Sequence, residues 1–387
     1  MNETVGSRQA NMSRLLRLAH LDGPLSRAAL TAATGLNRST IADLVGDLVA
    51  LGIVEERLPD PSRRVGRPSP LVSAHPRVTA IAVNPEVDAL TIGAVGLDRT
   101  VRRRERIEMS GLIGPERTAQ LIGERVDAWR SDDLADAAIV GIGIAVPGLV
   151  RASDGLVRDA PHLRWTDVAL RELVETASGL PTVVGNDAAM GVVAEHLFGA
   201  ARGIDDVVYL NGGASGIGGG LIVHGIPVTG ASGYSGEFGQ NRPGIASHAD
   251  RRAGEGVLED EVSRARLLAV LGRGNADEPT LAQLLSTTRS PEVLDEIARQ
   301  RRILATALAN ATNVLNPAVV VLGGFLGMLA AHDLDDLTHA VAAQTMAANA
   351  EDLKIRPAAL GEDRLLIGAA EAALAELLRD PAGFSPR

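Results

Sequence analysis

Along the first fifty residues the apolar positions recur at helical spacing. Residues 11–21 carry Leu15, Leu16, Leu18 and Ala19 and predict an amphipathic helix. Pro24 and Ser26 open a second helix, Ser26 as its cap, and Gly35 sits where that helix would end. Asn37 can cap a third helix, Arg38 to about Leu51, with Ile41, Leu44, Val45, Leu48 and Val49 as its apolar stripe. Residues 52–56 and 70–73 read as paired strands around a polar stretch that holds Arg63, Arg64 and Arg67. Two short helices about a Gly-containing turn, followed by such a strand pair, predict a winged helix-turn-helix.

From Val78 the period becomes that of strands. Apolar runs at 78–83, 89–98 and 138–148 accompany an alternating segment at 100–109, a helix over 115–130 and another near 166–178. Strands near 206–211, 216–224 and 226–228, then helices and the strand 318–322, repeat the pattern. Three strands in a row followed by helix-strand alternation predict an α/β sheet with an antiparallel edge, and its repetition predicts two similar lobes. The chain divides into 1–77 for the winged module, 78–186 with 368–387 for the first lobe, and 187–367 for the second.

Residues 183–240 break both periods with glycine and polar side chains. Asn186 and Asp187 stand where an apolar strand turns into a helix, which places both at the mouth of a sheet. Residues 210–220 form a glycine-rich strand-turn-strand, and Glu237 and Gln240 lie in the glycine-flanked turn that follows. Glycine lets backbone N–H groups approach a ligand closely. Carboxylates and amides aimed into one cleft suit a polyhydroxylated ligand, because each sugar hydroxyl both donates and accepts. The plainer alternative is that the glycines only make turns and Asp187 only caps its helix.

This order of motifs resembles the ROK family of sugar kinases and repressors, within the actin-like and hexokinase-like ATPase superfamily. The resemblance runs from about residue 8 to Asp380-Pro381. It implies a two-lobed actin-like/hexokinase-like (ribonuclease H-like) α/β fold, preceded by the winged helix-turn-helix that repressor members carry and kinase members lack. It also implies sugar contacts at Asn186, Asp187, Glu237, Gln240 and Glu259, with Asp187 at the family's catalytic base and Gln240 in place of its His.

Several departures from the family pattern matter. The phosphate-wrapping turn Asp-x-Gly-Gly-Thr becomes Asn84-Pro85-Glu86-Val87-Asp88. It has no glycine, Pro85 lacks an N–H, and Glu86 and Asp88 repel phosphate. ATP binding and catalysis are therefore not expected, and Asp187 is a remnant. The three cysteines of the family's zinc knuckle fall on Asp250, Arg252 and Val257, so no zinc is expected, and the loop 241–256 must be held another way or be mobile. The Asn of the family's Ala-Pro-Asn-Leu segment is His162 here.

Charge sharpens the picture. The chain has 387 residues, no cysteine and a net charge of −10, which argues against a nucleic-acid surface along its whole length. Residues 1–77, however, hold ten Arg against seven Asp or Glu. Within them Asn37, Arg38, Ser39 and Thr40 stand at the start of the third helix, where side chains and the helix N-terminus meet base edges and phosphate. Arg63, Arg64 and Arg67 suit a minor groove or the phosphate backbone. A helical interaction module with a solvated basic loop is the alternative.

No apolar run approaches the roughly 20 residues of a membrane span, and the start does not read as a signal peptide, so a soluble cytoplasmic protein is expected. The expected function is a repressor that binds operator DNA as a homodimer or homotetramer and answers to a sugar or sugar phosphate. The alternatives are an ATP-dependent sugar kinase with an added DNA-binding module, and a regulator that has lost its ligand response.

Overall fold

Local caps set the N-terminal module. In the computed structural model, which describes residues 2–58, 69–254 and 256–384, three helices span Asn2–Asp22, Arg27–Thr34 and Arg38–Ala50. Ser26 caps the second by accepting from the Ala29 N–H, and Asn37 caps the third by accepting from Thr40. Gly35 ends the second helix with a φ of 71°, a left-handed conformation that glycine adopts without strain. The first helix is longer than its apolar stripe predicts. Its polar first turns contain no proline, and Arg8 pairs with Asp47 of the third helix. Strands Leu25–Ser26, Leu71–Ala74 and Val54–Arg57 form a small antiparallel sheet beside the helices.

The two lobes share one topology. In the first, Val78–Pro85, Ala89–Gly96 and Val101–Glu108 form an antiparallel meander. Ala138–Val146 adds parallel to its first strand, and Thr182–Asn186 parallel to that. In the second, Val207–Gly213, Gly216–Val223 and Ile226–Pro227 form the meander, and Val319–Gly324 and Lys354–Pro357 add in the same way. The repetition predicted from the apolar runs is therefore a repetition of strand order. One boundary differs from expectation. Residues 165–168 are a strand, and the helix begins at Leu170. The Trp165 indole is buried and donates to the Ile113 carbonyl at 3.0 Å, which ties this segment to the loop before the helix Pro115–Arg130.

The closing helix Arg364–Arg379 lies over the first sheet, and a Cβ on Gly143 would stand 1.8 Å from the Ala369 carbonyl oxygen. The same helix joins the module to the body. Leu15, Leu16 and Leu44 share one apolar core with Val78, Ala82, Leu374 and Leu378. Among the described residues no helix is long and apolar enough to cross a membrane.

Candidate functional site

The strand Thr182–Asn186 ends in the interlobe cleft, and the helix Asp187–Phe198 begins there. Asn186 is held at both ends of its amide. Its oxygen accepts from the Ala189 N–H at 2.9 Å, and its nitrogen donates to the Gly148 carbonyl at 3.0 Å. The Asp187 carboxylate accepts from the Ala188 N–H at 2.7 Å. Across the cleft, Glu259 accepts from the Ile217 N–H at 3.1 Å and from the Gln240 amide at 2.6 Å. Gly216 lets it come that close: its φ is 127°, and a Cβ there would lie 2.4 Å from a Glu259 oxygen.

Glu237 is half-buried; its backbone carbonyl accepts from the Gln240 N–H at 3.2 Å, and among the described residues its carboxylate has no hydrogen-bond partner. The structure thus brings Asn186, Asp187, Glu237, Gln240 and Glu259 together around one cavity of about 340 Å³, with Asp159 and His162 at its rim. That volume is in the range of small-molecule sites.

The cavity holds its acids unevenly. Burial pushes the Asp187 carboxyl up to about 7, and the charges of Glu237 and Glu86 act in the same direction. Burial, and then the charge of Glu259, raise Glu237. Such carboxyls accept from hydroxyl groups, and Asp187 is tuned to take or return a proton near neutrality.

The other half of the cleft is a second cavity, of about 380 Å³, which shares Pro147, Asp187, Asn211, Gly213 and Ser215 with the first. Here the turn after Pro85 closes a hairpin, and the Glu86 N–H is spent on the Ala89 carbonyl at 2.8 Å. Arg106 pairs with Asp88 at 3.1 Å, and Asn275 of the second lobe donates to Asp88 at 2.9 Å. Deeper, the buried Arg364 forks onto Glu278 at 3.0 and 2.6 Å and donates to Asn211 at 3.0 Å. Of the acidic residues in its lining, Asp88, Glu278 and Glu362 are paired with Arg106, Arg364 and Arg104, and Pro85 and Glu86 offer no free backbone N–H.

In the module, Asn37, Arg38 and Ser39 are exposed at the start of the third helix, and Thr40 is half-buried. Asn37 uses its side-chain oxygen for the cap, also accepting from the Ser39 hydroxyl at 2.7 Å, which leaves its amide N–H groups outward. Arg63, Arg64 and Arg67 lie outside the described residues.

Arg364, Glu278 and His20 belong to no motif of the sequence. Arg364 is a lone charge heading the apolar run Leu365-Leu366-Ile367, which is a visible signal. His20, on the apolar face of the first helix, carried none that distinguished it from a core residue.

Fold and cleft together define an actin-like, sugar-kinase type of body behind an N-terminal module of three helices and a small sheet. Residues 81–376 match the ROK family, and the chain belongs to it. It is 25% identical over 376 residues to a xylose repressor of Caldicellulosiruptor bescii, with 92% of this chain and 93% of that one covered. Among solved structures it is similar to a ROK family transcriptional regulator described as a homologue of the E. coli MLC protein, with a TM-score of 0.74 at 23% identity and 96% and 97% of the two chains covered. A ROK family glucokinase from Streptomyces griseus, solved with glucose and AMPPNP, is similar with a TM-score of 0.61 at 22% identity. It covers 76% of this chain and 98% of its own.

Proposed function

We propose that this chain is a transcriptional repressor that binds operator DNA through its N-terminal module and is switched by a sugar or sugar phosphate in the cleft. One observation carries this reading: a single helix runs from the cleft to the module. Asp187–Phe198 has 12 residues, a span of roughly 18 Å. Its first residue, Asp187, and its cap, Asn186, line the cavity. Its last, Phe198, meets the ring of His20 edge-on at 5.5 Å, and the Arg99 guanidinium lies over the Phe198 ring at 5.4 Å. Arg99 and Arg202 donate to the Leu21 carbonyl at 3.1 and 3.2 Å, and Arg202 also pairs with Asp22. A ligand that binds one cleft geometry better than another biases this helix, and with it the end of the module's first helix. Similarity to a xylose repressor along the module as well as the body supports the same reading.

Catalysis is lost in this account, because the turn Pro85–Asp88 offers carboxylates where backbone donors are needed. The kinase reading rests on one observation, the neutral pKa of Asp187, which suits a base. Repressor modules read paired half-sites, so the chain acts as a homodimer or homotetramer.

The test is thermal unfolding of the full chain with a panel of sugars and sugar phosphates, each repeated on Asp187→Asn. A compound that binds only the folded state stabilises it by about 2.7 kcal/mol at a hundredfold excess over Kd. The reading predicts such a compound for the wild type and a lost or weakened shift in the variant. No shift with any compound would favour a regulator whose body serves only to dimerise.

A further inference from the structure

We propose that a buried ion pair, Arg299 with Glu261, takes the place of the zinc knuckle that the family resemblance implies, and positions Glu259 and Gln240 in the cleft; their role there rests on the effector reading above. The donor set does not fit zinc. Val257 has no ligating atom, Arg252 carries a cation, and the Asp250 carboxylate is bound by Arg302 at 2.7 and 3.1 Å. The Gln240 amide is committed to Glu259. Among the described residues no group of three His, Cys, Asp or Glu side chains is placed to hold a metal ion.

The loop after Gln240 is held by hydrogen bonds instead. Arg299, on the long helix Pro291–Leu315, is 2% exposed and every nitrogen of its guanidinium is used. It donates to Glu296 twice at 2.8 Å, to the Asp250 carbonyl at 2.7 Å, to the Glu261 carboxylate at 2.9 Å and to the Glu261 carbonyl at 2.7 Å. The Glu261 carboxylate in turn accepts the backbone N–H groups of Arg252 and Ala253, each at 3.0 Å. Those N–H groups stand where a knuckle ligand and its neighbour would be. Next along the chain, Gln300 holds both backbone groups of Ser263, at 3.0 and 3.1 Å.

Glu261 is the last residue of the short helix Leu258–Glu261 that carries Glu259. Arg299 therefore fixes one end of a four-residue element whose second residue reaches the cleft, to the Ile217 N–H and to Gln240. Arg299 is a positioning residue, acting through Glu261. Its planar fork makes parallel bonds that a lysine cannot reproduce.

The experiment is amide hydrogen exchange on the full chain, without ligand, for wild type, Arg299→Met and Arg299→Lys, with metal analysis of the wild type before and after EDTA. The proposal predicts no stoichiometric zinc and no effect of EDTA. It predicts exchange at Ile217, Arg252 and Ala253 faster by about tenfold or more in Arg299→Met, with partial recovery in Arg299→Lys and no change in the strands 207–213. Stoichiometric zinc whose removal exposes these amides would overturn it, as would unchanged exchange in Arg299→Met. If Arg299→Met does not fold, Arg299→Lys and the EDTA comparison decide: unchanged amides in the lysine variant count against the pair. Glucose and xylose added afterwards separate the two readings. Faster exchange in the variant, with no response of the wild type to glucose, xylose or any other member of the sugar and sugar-phosphate panel, sinks the effector reading and leaves the ion pair standing.

Discussion

Replacing His20 by leucine tests how the module is joined to the body. His20 is 1% exposed, with Nδ1 2.6 Å from the Leu97 carbonyl and Nε2 3.0 Å from the Glu371 carboxylate. Leucine fills most of the volume but strands Glu371, itself 8% exposed, and the Leu97 carbonyl. Removing one partner of a buried pair costs about 3–5 kcal/mol. Leucine keeps the apolar packing of the site, so a loss at the lower end, about 3 kcal/mol, is expected.

The pH dependence has a definite sign. Burial opposes the charge on His20, but the hydrogen bond and charge of Glu371 outweigh it and hold the pKa above its ordinary value; Arg99, the other charge facing it, pulls the opposite way. Stability from a raised histidine is fully present below the unfolded-state pKa, about 6.5, and is lost as pH rises through the folded-state value. The gap between wild type and His20→Leu should therefore be widest near pH 6 and narrow at higher pH. Urea unfolding followed by circular dichroism at several pH values measures it. His20→Leu/Glu371→Leu should recover much of the loss, since no charge is then stranded. A gap that is negligible, or that stays constant with pH, would refute the reasoning.

Three further outcomes follow from the site and the module. Burial raises the Asp187 pKa to about 7, above its unfolded value, so the contribution of Asp187 to stability should fall as pH rises from about 4 to about 7. Asp187→Asn should flatten that slope in melting curves taken from pH 4 to 8, and identical slopes would contradict the assignment. Incubation with ATP, magnesium and a hexose panel should give no phosphorylated sugar above background; transfer that Asp187→Asn abolishes would restore the kinase reading. Arg38→Ala should weaken operator binding and lower the salt slope by about one unit, the signature of one lost phosphate contact. An unchanged slope would place Arg38 away from the backbone.

Legibility in the sequence follows the range of each interaction. Ser26 and Asn37 cap helices through contacts three residues away, so composition near a helix start reveals them. The doubled meander is legible because each strand pairs with its neighbour in the chain. The cleft residues are legible as motifs, since Asn186 and Asp187 sit at a strand end and Gly216 and Glu237 at turns. The interactions that link the elements are different. His20 meets Glu371 across 351 positions, Arg364 meets Glu278 across 86, and Arg299 meets Glu261 across 38. Nothing in the local pattern of an arginine-rich chain separates the buried Arg299 and Arg301 from the neighbouring exposed Arg302, and only packing decides which of them meets Glu261.

The most direct test is a titration of the full chain into DNA from upstream of its gene, at one fixed salt concentration, with and without each member of a sugar and sugar-phosphate panel. The account predicts that one compound weakens binding at least tenfold, about 1.4 kcal/mol of coupling, and that Asp187→Asn loses the effect. Tight binding that no compound alters would contradict coupling along the helix Asp187–Phe198, and no binding at all would contradict the role given to the N-terminal module.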